Sequence, residues 1–141
     1  MKDTVISDCR IIDLPKIHTY NGDITSINSL ADIGFLVKRV YYLYDVPSMA
    51  DRGSHAHKSL NQLIVAATGS FCIELFDGFD RIKYTLNRPD QGLIIRPGIW
   101  RDLNEFSGGG ICLVLASLEY DESDYIRDYD SYLNYKNDTS N

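Results

Sequence analysis

Arg52-Gly53-Ser54-His55-Ala56-His57-Lys58 is the stretch on which the reading of this chain turns. In an extended backbone successive side chains alternate between faces, so His55 and His57 leave the same face and converge on one site. A same-face pair of imidazoles ordinarily suggests a metal centre.

The sequence around the pair withholds the other ligands. A small barrel of the cupin type supplies a carboxylate soon after the histidines, and here that place holds Gln62, followed by the turn residue Gly69. The second half of such a barrel adds a histidine after a Gly, Pro, Gly run. Gly92-Leu93-Ile94-Ile95-Arg96-Pro97-Gly98-Ile99-Trp100 ends instead in Arg101. A guanidinium carries donors only and cannot coordinate. The histidines are therefore free to move protons, and Arg101 is free to hold an anion or an oxygen that becomes one.

With 141 residues the chain is expected to fold as a single domain over 1–141, long enough to bury roughly 70% of its unfolded surface. No apolar run approaches the length of a membrane span, and Met1-Lys2-Asp3-Thr4-Val5 is too polar to begin a signal peptide, so a cytoplasmic protein without membrane contact is expected. Cys9, Cys72 and Cys112 are odd in number and widely spaced, which argues against a disulfide framework or a zinc knuckle. Cys72 and Cys112 sit in apolar runs and read as small buried hydrophobes. A net charge of -6 excludes a general nucleic-acid binder, because that affinity comes from neutralising phosphates. A few arginines focused in a concave site can still hold a diphosphate. Arg39, Arg52, Arg88, Arg96 and Arg101 fall in or beside apolar segments and are the candidates, with an ordinary rim or surface role as the alternative for each.

Short strand-like runs separated by turn signals dominate the chain. Val5 to Leu14, Asp23 to Ile27 and Gly34 to Val46 come first, followed by Gln62 to Ala67, Phe71 to Phe76, Arg81 to Leu86, Gly92 to Ile95 and Ile111 to Ser117. Asp77-Gly78 is a hairpin turn. The tyrosines and apolar residues of Tyr120 to Tyr135 recur every three or four positions, which predicts one or two short helical turns laid against the sheets. The polar end Lys136 to Asn141 is expected to fray. This pattern predicts an all-β sandwich or small barrel whose interior can hold one small ligand.

Several segments together resemble a known family, the cupin-type dTDP-sugar 3,4-ketoisomerases, which act on dTDP-4-keto-6-deoxy-D-glucose. The resemblance rests on Val37-Lys38-Arg39-Val40-Tyr41-Tyr42, on Arg52-Gly53 with His55 and His57, and on Gly92-Leu93 through Pro97 and Trp100. Leu115-Ala116-Ser117 and Tyr120-Asp121-Glu122-Ser123-Asp124-Tyr125-Ile126-Arg127 complete it. It implies a cupin-like jelly-roll barrel with a short C-terminal helical segment, no cofactor and no metal, and a homodimer with exchanged N-terminal strands. It also implies a role in deoxyamino-sugar biosynthesis. His55 would carry the main acid/base role with His57 assisting, and Tyr41 would lie at the sugar. Arg101 places the chain with the arginine-bearing members, where others have histidine. Asn21 departs from the bulkier residue expected at its position, which bears on product configuration rather than on the reaction.

Moving a carbonyl from C4 to C3 needs a base for the C3 proton, support for the enediolate oxygens and an acid for C4. An imidazole serves both proton transfers near neutral pH. Arg101 is the first candidate for the oxyanion donor and the Tyr41 hydroxyl the second; Gln62, which donates and accepts, would orient His57 or a substrate hydroxyl. Arg52, Arg88, Lys38, Arg39 and Asn21 complete the expected substrate contacts. Hydride transfer to a dinucleotide is disfavoured because the chain has no Gly-x-Gly-x-x-Gly turn. Three other readings stand beside this one: structural histidines without chemistry, a non-catalytic nucleotide-sugar sensor, and a cupin-type dioxygenase or epimerase. Protonation of C4 from the other face would give the galacto product instead of the gluco one.

Overall fold

In the computed structural model, which describes residues 2–138, the chain forms two five-stranded antiparallel sheets packed face to face. The first sheet runs β1 (Arg10–Asp13), β9 (Gln91–Ile95), β6 (Gln62–Thr68), β11 (Ile111–Ala116), β4 (Arg39–Leu43). The second runs β12 (Tyr125–Ile126), β5 (Arg52–His57), β10 (Trp100–Asn104), β7 (Phe71–Phe76), β8 (Arg81–Leu86). A separate hairpin pairs β2 (Ile17–Thr19) with β3 (Gly22–Ile24), and α1 (Tyr129–Asn137) closes the chain. The expected all-β jelly roll with a short C-terminal helix is the observed architecture.

Alternation along the strands explains the layers. In β6, Ile64 and Ala66 point between the sheets and join Phe71, Ile73, Leu75, Leu93, Ile95, Leu103, Cys112 and Val114 in the main core. Leu63 and Val65 point the other way, where Leu14, Ile33 and Phe35 cover them. A strand buried on both faces must be apolar throughout, which is why β6 reads as an unbroken run. Outside the second sheet, Tyr132 of α1 packs on Ala56, Phe76, Trp100 and Ile126. Its hydroxyl lies 2.9 Å from the carbonyls of both Phe76 and Gly98. Cys9, Cys72 and Cys112 are all buried free thiols.

Several boundaries differ from the sequence expectation. Val5 to Leu14 yields only β1, because Ile6–Asp8 is a 3-10 turn in which the Asp8 carboxylate accepts the Val5 N–H. Gly34 to Val46 shortens to Arg39–Leu43: Gly34, at φ +80°, ends the helical turn Ser29–Ile33 that precedes it. The strand β10 carries no clear alternation, yet its Asp102 faces outward to accept from Ser54 Oγ at 2.5 Å and Trp100 Nε1 at 3.3 Å. Tyr125 and Ile126 pair with β5 rather than joining a helix. The helix starts at the Asp128 cap, whose carboxylate accepts the Ser131 N–H. Lys136 does not fray: its Nζ donates to Thr4 O at 2.7 Å and Gly98 O at 3.1 Å. Residues 139–141 of the expected frayed end lie outside the described residues.

Candidate active site

A bulge in β5 shapes the site. Arg101 of β10 pairs with His55, and Leu103, two residues on, pairs with Arg52, three residues back. The extra residue falls at Gly53, whose φ of +70° only glycine adopts without strain, and a Cβ there would collide with Leu103. Because cross-strand partners share a face, the bulge brings Arg52 and His55 to the same side. Strict alternation would have opposed them. Both line a cavity of about 620 Å³ between the sheets, together with Tyr41, Arg39 and Arg101 and the rim residues Tyr125 and Arg127.

The two imidazoles meet edge to face, with Nε2 of His55 3.0 Å from Nε2 of His57. His57 is fully buried, and its Nδ1 lies 3.2 Å from Asp124 Oδ2. Burial, then the Arg101 charge, lowers His55 to a pKa of about 2. The same causes in the same order push His57 well below the ordinary histidine range. Both rings are neutral in the resting protein.

Arg101, 1% exposed, donates from Nη1 to Gln62 Oε1. That contact fixes the amide, because a guanidinium has nothing to accept with. Gln62 Nε2 is left to donate to the Tyr41 hydroxyl oxygen at 2.8 Å. The Tyr41 hydrogen therefore points elsewhere and is available to the cavity. Burial raises the Tyr41 pKa, so it remains a phenol and a donor. Nε and Nη2 of both Arg101 and Arg39 are buried without a hydrogen-bond partner among the described residues. Buried unpaired donors are costly, and an anionic or carbonyl oxygen in the cavity would satisfy them. The Arg39 guanidinium stands 5.1 Å from the centre of the Tyr41 ring and 5.6 Å from that of Tyr120.

The structure thus places His55, Tyr41, Arg101, Arg39 and Arg52 on the wall of one cavity, with His57 behind His55 and Gln62 behind Arg101 and Tyr41. Three other expected contacts lie elsewhere. Arg88, in the turn before β9, is exposed and pairs with Asp90 at 3.0 Å. The Lys38 N–H donates to Ala116 O, and its exposed side chain is not part of the cavity wall. Asn21 sits in the exposed β2–β3 turn, its N–H donating to Thr19 Oγ1. Arg96 is held by Asn61 at 3.1 Å.

The tail contributes what residue-by-residue reading missed. Arg127 lies 4.1 Å above the Tyr125 ring and grips Glu122 with two bonds of 2.6 and 2.9 Å. That grip holds Glu122 down at about 2. Asp124 reaches His57 from the same segment. The signal was present in the run Tyr120 to Arg127, but no spacing rule says that it folds back along β5. No cluster of three or more His, Cys, Asp or Glu side chains that could hold a metal ion exists among the described residues. The slots flanking the histidines are filled by an amide and a cation locked to each other.

Residues 7–137 match the family model FdtA, described as WxcM-like, C-terminal. The chain is 40% identical over 126 residues to the TDP-4-oxo-6-deoxy-alpha-D-glucose-3,4-oxoisomerase of Aneurinibacillus thermoaerophilus, covering 89% of this chain and 91% of that protein. The fold superposes with a TM-score of 0.90 on a histidine-to-asparagine mutant of the 3,4-ketoisomerase QdtA from Thermoanaerobacterium thermosaccharolyticum, in complex with TDP-4-keto-6-deoxyglucose. Identity there is 38%, covering 92% of this chain and 94% of that one. For the TDP-quinovose 3,4-ketoisomerase WlaRB of Campylobacter jejuni the TM-score is 0.87 at 42% identity, covering 91% and 98%.

Proposed function

This chain belongs to the FdtA (WxcM-like, C-terminal) family, and we propose that it converts dTDP-4-keto-6-deoxy-D-glucose to dTDP-3-keto-6-deoxy-D-glucose. The observation that carries the reading is a neutral imidazole on the wall of a cavity, directly across the strand pair from a buried arginine with two unpaired nitrogens. His55 takes the C3 proton, and negative charge develops on O4. Arg101 and the Tyr41 hydroxyl supply donors where that charge appears, and one such donor contributes about 3 to 4 kcal/mol in a water-excluded site. The O3 proton passes to O4 as the enediolate shifts its charge to O3. C4 then takes a proton on its opposite face, leaving the ketone at C3, and the His55 imidazolium gives its own proton up to solvent. Arg39 and Arg52 face the same cavity and serve the charged diphosphate.

The C3 and C4 hydrogens of a gluco ring lie on opposite faces, so the gluco product requires C4 to be protonated on the face opposite the one from which His55 took the C3 proton; return on the same face would give the galacto form.

A cytoplasmic homodimer with exchanged N-terminal segments completes the proposal. Every residue of the β2–β3 hairpin is exposed, with Ile17 and Ile24 both at 59%. An isolated two-stranded hairpin is marginal in water, so a second chain is its natural support. Asn21 at its tip, outside its own cavity, would reach a site only in such a partner. No helix among the described residues is long and apolar enough to cross a membrane.

Proton NMR of dTDP-4-keto-6-deoxy-D-glucose with the protein in deuterated water tests the reaction. A new 3-keto species with deuterium at C3 or C4 is expected, and its loss in H55N with nucleotide binding kept. Binding shifts with neither product nor exchange would make the protein a sensor.

A further inference from the structure

Asp124 is a buried carboxylate with both oxygens committed. Oδ1 accepts the Ser59 N–H at 2.8 Å and Oδ2 faces His57 Nδ1 at 3.2 Å. Its backbone is pinned too, since Asp124 O accepts the Lys58 N–H and Asp124 N donates to Asp121 O. We infer that Asp124 is a positioning residue that acts through His57 to set which nitrogen of His55 is bare.

The inference rests on the proposed isomerase chemistry for its consequence, but its logic is that of hydrogen bonds alone. A carboxylate only accepts, so His57 carries its hydrogen on Nδ1. His57 Nε2 is then the acceptor in the 3.0 Å contact, which requires the hydrogen of His55 to sit on Nε2. The remaining nitrogen, Nδ1 of His55, holds the lone pair and is the base offered to the cavity. When Nδ1 takes a proton, the imidazolium donates along the chain to His57 and, through it, to an anion. That counterweight matters because Arg101, Arg39 and Arg127 all work against a positive charge on these rings.

Asp124→Asn inverts the chain without removing volume. The Ser59 N–H still demands an oxygen, so the new amide turns its NH2 toward His57 Nδ1. A donor there forces the His57 hydrogen onto Nε2, and the His55 hydrogen onto Nδ1, where the base should be. The same wrong-tautomer effect accounts for the loss of rate in a serine protease whose triad aspartate is made asparagine.

The test is nitrogen-15 NMR of the histidine rings in the wild-type protein and in D124N, alongside steady-state kinetics. Wild type is expected to show hydrogen on Nδ1 of His57 and on Nε2 of His55, with both assignments exchanged in D124N. The kcat of D124N should fall by about 10²- to 10⁴-fold with KM little changed. Wild-type rings with the opposite tautomers would overturn the inference even if D124N failed to fold, as would a folded D124N with full kcat. A wild-type protein that shows the expected tautomers but no isomerisation would refute the proposed reaction and leave the hydrogen-bond chain standing.

Discussion

Acidification should destabilise this protein through its two buried imidazoles. His57 is fully buried, and both it and His55 are held far below the unfolded value of about 6.5, by burial first and the Arg101 charge second. Above about pH 6.5 neither the folded nor the unfolded state binds these protons, and stability is full. Below it the unfolded chain takes them up while the folded protein does not, so stability falls as pH drops toward the folded values. At about pH 5 each histidine lies roughly 1.5 units below its unfolded pKa, which is about 2 kcal/mol per ring and up to about 4 for the pair. Urea unfolding at about pH 7.5 and about pH 5, at one protein concentration, measures the loss. With a urea dependence of about 1–3 kcal/mol/M, each ring moves the midpoint by roughly 1 M. Groups remote from the two rings contribute equally to wild type and to the H55N/H57N double variant, so they cancel in the comparison. H57N alone should remove about half of the extra acid sensitivity. Equal losses in wild type and the double variant would show that these rings are not held neutral, and the account of the site's electrostatics would fail.

Arg101→His should shift product toward the galacto form, alone or with a second change at Asn21, as read by coupling constants around C4 in fresh product; a galacto product from the unmodified protein would overturn the proposed gluco configuration. Arg52→Lys should weaken dTDP in a calorimetric titration, because a bidentate fork becomes a point charge, whereas Arg88→Lys, already paired with Asp90, should leave affinity unchanged. Full activity is expected after exhaustive chelation, and a loss restored by one metal alone would contradict a base made from two imidazoles and an arginine. Sedimentation should show a dimer; a monomer independent of concentration would defeat the exchange of N-terminal segments.

The parts of the fold and site that could be read from the sequence were those set by local periodicity and residue chemistry. The run of β6 declares itself because its first five residues are buried without a break, and β7 because only Glu74 interrupts its buried residues. His55, His57 and Arg101 were identifiable because a paired ligand motif had lost its remaining ligands. What stayed hidden depends on distant contacts. The polar β10 becomes a strand only because β5 and β7 flank it. Asp124 reads as one acidic residue among several until the tail is seen to run antiparallel to β5, with Tyr125 opposite His57. Arg88 looked like Arg52 in sequence, and only the position of its turn separates them.

In the proposed reaction the cation that makes the site useful also makes its base weak, and this tension explains the arrangement. Proton abstraction turns a neutral imidazole and a neutral ketone into an imidazolium and an enediolate. Arg101 favours the second charge and opposes the first, so on its own it shifts the site from one difficulty to another. The two charges nevertheless appear in different places. The enediolate can take the unpaired nitrogens of Arg101, gaining donors that are already oriented and already stripped of water. The imidazolium forms on the His55 side, where a chain of acceptors runs inward through His57 to Asp124. Gln62, locked between Arg101 and Tyr41, keeps the guanidinium from swinging toward that chain. An arginine placed across the strand pair from His55, with a carboxylate on the far side of a second imidazole, separates the two developing charges and stabilises each with its own partner.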